Sequence, residues 1–167
     1  SAAPLAAEQA PPAALAIPRL SAELTLDGLL QEPVWQQAAE FPFNEPHPKF
    51  NETLPDGCGG TVRIWRDADH LYLGFRIENP YLPLHLKAET RARDGSVYSD
   101  ECIEVFFDLG SGSPGTRQLA ANALGSIYDG DFDSGPNPTW DGGWKVAATV
   151  VRGAWYSEWK IPHADLG

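Results

Sequence analysis

A single hairpin signal constrains this chain more than any other feature. Thr61-Val62-Arg63-Ile64-Trp65-Arg66 alternates, and Leu71-Tyr72-Leu73-Gly74-Phe75-Arg76-Ile77 alternates again. Between them lies Asp67-Ala68-Asp69, a tight-turn signal in which an Asp side chain can bond the backbone ahead of it. Period two sends successive side chains to opposite faces of a strand. Leu71, Leu73, Phe75 and Ile77 therefore share a core face, and Tyr72, Gly74 and Arg76 take the other. A chain that commits to this hairpin needs a second layer to cover its apolar face.

Further strand signals follow at short spacing. Glu23-Leu24-Thr25-Leu26 alternates and stops at Asp27-Gly28, a turn signal. Pro33 to Ala38 reads as a short helical turn, with Pro33 tolerated at its start. Ile103 to Asp108 is a strand with Ile103, Val105 and Phe107 on one face. Arg117 to Leu124 is another, extended after Gly125 by Ser126-Ile127-Tyr128. Trp144 to Val151 and Trp155 to Ile161 pair across Arg152-Gly153, and Pro162 ends the second of them. Residues 44–60, 79–100 and 129–143 read as loops. About eight strands and almost no helix predict an all-β fold, an antiparallel β-sandwich of jelly-roll type. The 6 Trp, 16 Gly and 15 Pro agree with that class, and 167 residues suggest one domain.

The folded part is expected to span residues 17–167. Residues 1–16 hold eight Ala and three Pro with one charge, Glu8, and read as a disordered linker left after a signal peptide is removed. That predicts a secreted, periplasmic or cell-surface protein. The net charge of -11 argues against nucleic acid, which needs clustered cations. No apolar run approaches the ~18 residues that span a bilayer. Cys58 and Cys102 are isolated from any metal-ligand spacing. In an exported protein they could form one disulfide; each could equally be a small buried hydrophobe.

Enzyme signatures are absent from the sequence: there is no GxSxG, no HExxH, and His47, His70, His85 and His163 stand apart. Two carboxylates at a fixed gap could cleave a glycoside, but the expectation is a non-catalytic chain. Glu104, Asn122 and Glu158 sit on the polar sides of three strands and could line one face together. Carboxylates and amides bond sugar hydroxyls well. Trp65, Tyr72, Tyr81, Tyr98, Trp140 and Trp144 fall in loops or on polar faces, where an aromatic ring can stack on a pyranose. Tyr98 and Trp140 are read as functional, and Trp35, Trp155 and Trp159 as core. Asp129-Gly130-Asp131-Phe132-Asp133 resembles the start of a calcium loop but lacks its later Gly and Glu. An acidic surface loop accounts for the same pattern.

In order along the chain, these segments resemble the family 9 carbohydrate-binding modules. The resemblance rests on Leu26-Asp27-Gly28 with Glu32-Pro33-Val34-Trp35, on Thr61 to Trp65 with Asp67 and Leu71-Tyr72-Leu73, and on Tyr98-Ser99-Asp100-Glu101-Cys102-Ile103-Glu104. Asn122-Ala123-Leu124-Gly125 and Trp155-x-x-Glu158-x-x-Ile161-Pro162 complete it. It implies a jelly-roll sandwich, often with structural Ca2+, that binds a saccharide or polysaccharide without cleaving it. It puts Tyr98 at the first of two aromatics that sandwich a terminal sugar, and Glu104 at a polar sugar contact. The chain departs from the family where Ala120 replaces an arginine. The second aromatic belongs to strands after Gly167, so the resemblance implies C-terminal strands missing from this chain and a larger parent protein. The expected sugar-binding residues are Tyr98, Glu104, Asn122 and Trp140. The alternative is an accessory sandwich domain that binds no sugar.

Overall fold

The computed structural model describes residues 14–43, 54–110, 115–131 and 140–167. Eight strands run through them in chain order: β1 Ala39–Pro42, β2 Gly59–Arg66, β3 His70–Glu78, β4 Cys102–Asp108, β5 Thr116–Asn122, β6 Ile127–Asp131, β7 Lys145–Val151 and β8 Ala154–Pro162. Three short 3-10 turns, Pro33–Gln36, Val97–Ser99 and His163–Asp165, are the described helical elements. The strands form a five-stranded sheet ordered β1-β2-β3-β8-β7 and a three-stranded sheet ordered β4-β5-β6. Every pairing is antiparallel. This is the all-β sandwich that the alternation predicts.

The β2–β3 hairpin closes on Asp67. Its carboxylate accepts the Asp69 and His70 N–H groups at 2.7 Å each and the Tyr72 hydroxyl at 2.7 Å. Partial burial opposes ionisation of Asp67, but these hydrogen bonds outweigh it and lower its pKa. The β7–β8 hairpin turns at Gly153, whose φ of 79° a Cβ would resist.

Leu73, Phe75, Trp155, Trp159 and Ile161 of the larger sheet meet Ile103, Leu119 and Ala121 of the smaller one in a single core. Leu71, Ile77, Val105 and Phe107 pack at its margin, partly buried. Trp35, Trp155 and Trp159 are core residues, as expected.

Three expectations need correction. Residues 23–26 form no ladder. β1 and β3 already flank β2, so this segment crosses the outer face of the larger sheet instead. There Leu20, Leu24 and Leu30 cover a second cluster of Val34, Trp35, Trp65 and Tyr72. Trp65 and Tyr72 therefore do not stand on an open polar face. They are buried and stacked, with centroids 3.9 Å apart and planes 5° from parallel. Trp144 is buried in the main core.

The third correction concerns the cysteines, which are both free. Cys58 stands just ahead of β2 in the larger sheet. Cys102 opens β4 in the other sheet and packs against Val97, Ala120 and Tyr128 on its outer side. The expected linker, residues 1–16, lies mostly outside the described residues.

Candidate functional site on the outer face of the small sheet

Register decides which side chains share the outer face of the three-stranded sheet. Cys102 pairs with Asn122, Glu104 with Ala120, and Phe106 with Gln118. Ala120 pairs onward with Tyr128 and Gln118 with Gly130. Directly opposed residues in an antiparallel pair point the same way. Glu104, Phe106, Gln118, Ala120 and Tyr128 therefore belong to one surface, opposite the face that carries Ile103, Leu119 and Ala121 into the core.

Glu104 is exposed, and its carboxylate is held from two sides. Gln118 Nε2 donates to Oε2 at 3.0 Å, and Cys102 Sγ donates to Oε1 at 3.8 Å. Burial and the neighbouring Glu104 charge push the Cys102 thiol up to about 11, so it stays a neutral donor. Phe106 is 50% exposed beside this pair.

Tyr98 rises over the same face on the Val97–Ser99 turn. Val97 is the anchor: it is fully buried with Ala120 and Tyr128. The Tyr98 ring is 54% exposed and stands edge-on to Tyr128, with centroids 5.6 Å apart at 88°. The contact fixes the ring, which stays exposed to solvent.

The structure gives Asn122 a different role from the one expected. It shares the outer-face parity, but the 79–101 segment covers it completely. Its Nδ2 donates to Thr90 O at 2.8 Å and Asp100 Oδ2 at 2.9 Å, and its Oδ1 accepts the Leu124 and Ser126 N–H groups. No polar atom of Asn122 is left for a ligand. Asp100 in turn accepts the Thr90 N–H at 2.8 Å. Partial desolvation opposes ionisation of Asp100, but the Thr90 and Asn122 donors more than offset it and hold its carboxyl at about 2. Asn122 thus positions the turn that carries Tyr98.

Trp140 is not brought to this face. The Arg117 guanidinium lies 3.9 Å over its ring, and Arg117 pairs with Phe107 on the core side of the sheet. Parity separates them: Gln118 points out, so Arg117 points in.

Asp129 is fully buried on that inner side. Its Oδ1 accepts Arg93 Nη2 at 2.9 Å, and its Oδ2 accepts Arg93 Nη2, Trp144 Nε1 at 2.7 Å and Gly142 N at 2.9 Å. Asp94 and Asp141 bring carboxylate oxygens within 4.8 Å of it, and Arg93 contacts both. Asp131 faces Arg117 at 3.8 Å, and Asp133 lies outside the described residues. Asp129 does not fit as a Ca2+ ligand, because a guanidinium and two N–H donors occupy its oxygens.

Glu158 is also corrected from a surface position to a buried one. Its carboxylate accepts Asp27 N at 3.0 Å, Gly28 N at 2.8 Å, Leu30 N at 3.2 Å and Trp35 Nε1 at 2.9 Å. Gly28, at φ 77°, lies so close to β7 that a Cβ would come within 2.9 Å of the Ala148 backbone. The Asp-Gly and Trp signals near the start of the chain and the Glu signal near its end are thus one structural unit.

Gln118 and Phe106 are the site residues that sequence analysis did not single out. Their signal lies in the register, because only the pairing of β4 with β5 brings 106 and 118 beside 104.

Comparison with known proteins agrees with this architecture. The sequence profile of the family described as "Carbohydrate family 9 binding domain-like" matches residues 26–166. No curated protein is significantly similar in sequence. The fold is similar to that of a proposed carbohydrate-binding protein from Bacteroides uniformis ATCC 8492, with TM-score 0.69 and 14% identity over 91% of this chain and 73% of that one. It is also similar to a carbohydrate-binding module of family 9 from Caldicellulosiruptor kristjanssonii, solved with cellotriose and with glucose. Those matches have TM-scores of 0.58 and 0.60 and identities of 13% and 12%, each over 87% of this chain and 66% of the other.

Proposed function

This chain belongs to the carbohydrate family 9 binding domain-like family, and we propose that it is a non-catalytic module that binds a saccharide on the outer face of β4, β5 and β6. One observation carries the reading. An exposed Tyr98 ring, fixed edge-on by Tyr128, rises over the face that presents the Glu104–Gln118 pair. The apolar face of a pyranose stacks on such a ring, and its hydroxyls find a carboxylate acceptor and an amide. Phe106 adds a second exposed ring. With Ala120 in place of the family's arginine, the polar contacts fall to Glu104 and Gln118. In this reading the module is exported and tethered to further domains, supported by the Ala/Pro-rich composition of residues 1–16. A second reading, an accessory domain that binds no sugar, is favoured by the same Ala120.

Calorimetry against a panel of oligosaccharides and polysaccharides tests the proposal. A ring contact of about 0.5–1.5 kcal/mol predicts that Tyr98→Ala weakens binding several-fold with the circular dichroism spectrum unchanged. Equal binding by wild type and Tyr98→Ala would place the site elsewhere. No binding to any panel member would favour the accessory domain.

A further inference from the structure

A groove of about 610 Å³ opens on the opposite side of the sandwich, on the outer face of the five-stranded sheet. Its floor carries Thr61, Arg63, Arg76 and Tyr156, and one wall is the segment around Leu30. We propose that it is a second saccharide-binding surface, shaped for a neutral oligosaccharide and independent of the Tyr98 face.

The wall is held in place rather than draped there. Leu30 has φ 54°, a left-handed conformation that a branched side chain disfavours, and its N–H is held by the buried Glu158 carboxylate. Gly74 lets the wall sit directly on the sheet. A Cβ at that position would come within 2.5 Å of Leu30 Cδ2 and 2.8 Å of Trp35 Cζ3. A strained residue, fixed over a concave surface of ordinary ligand-site volume, is a built feature.

The floor chemistry selects the ligand class. Arg63 Nε bonds Glu40 Oε2 at 2.6 Å, and Arg76 bonds Glu78 through Nη1 at 2.6 Å and the Tyr156 hydroxyl through Nε at 3.3 Å. Each guanidinium has five N–H donors, and these contacts engage only some of them. Both arginines are ion-paired, Arg63 with Glu40 of the lining and Arg76 with Glu78 beside it, so the positive charge that could attract an anion is offset. The whole chain, at -11, repels polyanions. Alternating fixed donors and acceptors suit hydroxyl groups, which both donate and accept. Leu30, Val151 and the Tyr156 ring offer apolar surface to sugar C–H faces.

Amide NMR spectra of the chain, titrated with cellohexaose, xylohexaose, mannohexaose and hexagalacturonate, decide the matter. At least one neutral hexasaccharide should shift the amides of Thr61, Arg63, Arg76 and Tyr156, in wild type and in Tyr98→Ala alike. Those shifts should vanish in Arg63→Ala/Arg76→Ala. They should also vanish in Thr61→Trp, which fills the groove with both arginines intact and so covers the case where the arginine variant unfolds. Shifts confined to the residues around Tyr98 and Glu104 would overturn the second surface and leave the first intact. Shifts confined to the groove would support it while removing the proposed role of Tyr98. Stronger binding of hexagalacturonate than of every neutral sugar, or silence of the groove amides with all four, would overturn it.

Discussion

Glu158 and Trp35 meet at 2.9 Å across 123 residues of chain, indole N–H to buried carboxylate. Three backbone N–H groups share the same carboxylate, so one side chain on β8 fastens the whole segment from Asp27 to Trp35.

Glu158→Ala should therefore destabilise the fold by about 3 kcal/mol or more, because buried donors lose a charged acceptor together. Glu158→Gln should cost less, since one oxygen remains, but still about 2 kcal/mol. Urea unfolding followed by tryptophan fluorescence measures both. A Glu158→Ala midpoint equal to that of wild type would contradict the latch.

Asp100 makes stability depend on acid. Its carboxyl is held at about 2 in the folded chain against 3.8 unperturbed. The stability it contributes is fully present above pH 3.8 and is lost as pH falls from there towards 2. Asp100→Asn should be less stable than wild type at neutral pH, and the gap should narrow across that window. Urea midpoints of both proteins at several pH values test this.

Cys102 should react slowly. A thiol pushed from 9.0 to about 11 carries roughly a hundredfold less thiolate at pH 8, and alkylation follows the thiolate. Mass spectrometry after iodoacetamide treatment should show Cys58 modified well before Cys102. Denaturation should level the two rates, and Glu104→Gln should speed Cys102 by removing a neighbouring charge. Two thiols should titrate in unreduced, denatured protein.

Arg93→Met should cost about 1–3 kcal/mol, because Asp129 is buried and loses a charged donor, while Arg93 itself is exposed and the Trp144 and Gly142 N–H groups stay on the carboxylate. A chelator should leave the melting temperature of wild type unchanged. A large fall with chelator would show that a cation, not Arg93, neutralises Asp129.

Strands were legible where alternation and a turn signal coincide. The hairpins at Asp67 and Gly153 follow directly from period two and turn chemistry. Alternation misleads where both faces are covered. Tyr72 and Glu158 occupy polar-side positions, yet the crossing N-terminal segment buries them, and no local pattern records that contact. Likewise Leu24 and Leu26 alternate like a strand, but β2 has no free edge to receive them. At the candidate site, Tyr98 and Glu104 stand out by residue type. Gln118 and Phe106 need the β4–β5 register, and Asn122 looks like a ligand residue until the segment that covers it is known.

The Glu158 latch also sets an order of events during synthesis. Asp27 to Trp35 leave the ribosome 123 to 131 residues ahead of their acceptor. At ~5–20 residues per second that is a wait of about 6–25 s. Throughout it, Leu24, Leu30, Val34 and Trp35 have only the β2–β3 hairpin, with Trp65 and Tyr72, to cover, and no carboxylate to fasten them there. An apolar segment made early in the fold is thus among the last to be fastened, and a nascent chain stalled before β8 would hold it without its latch.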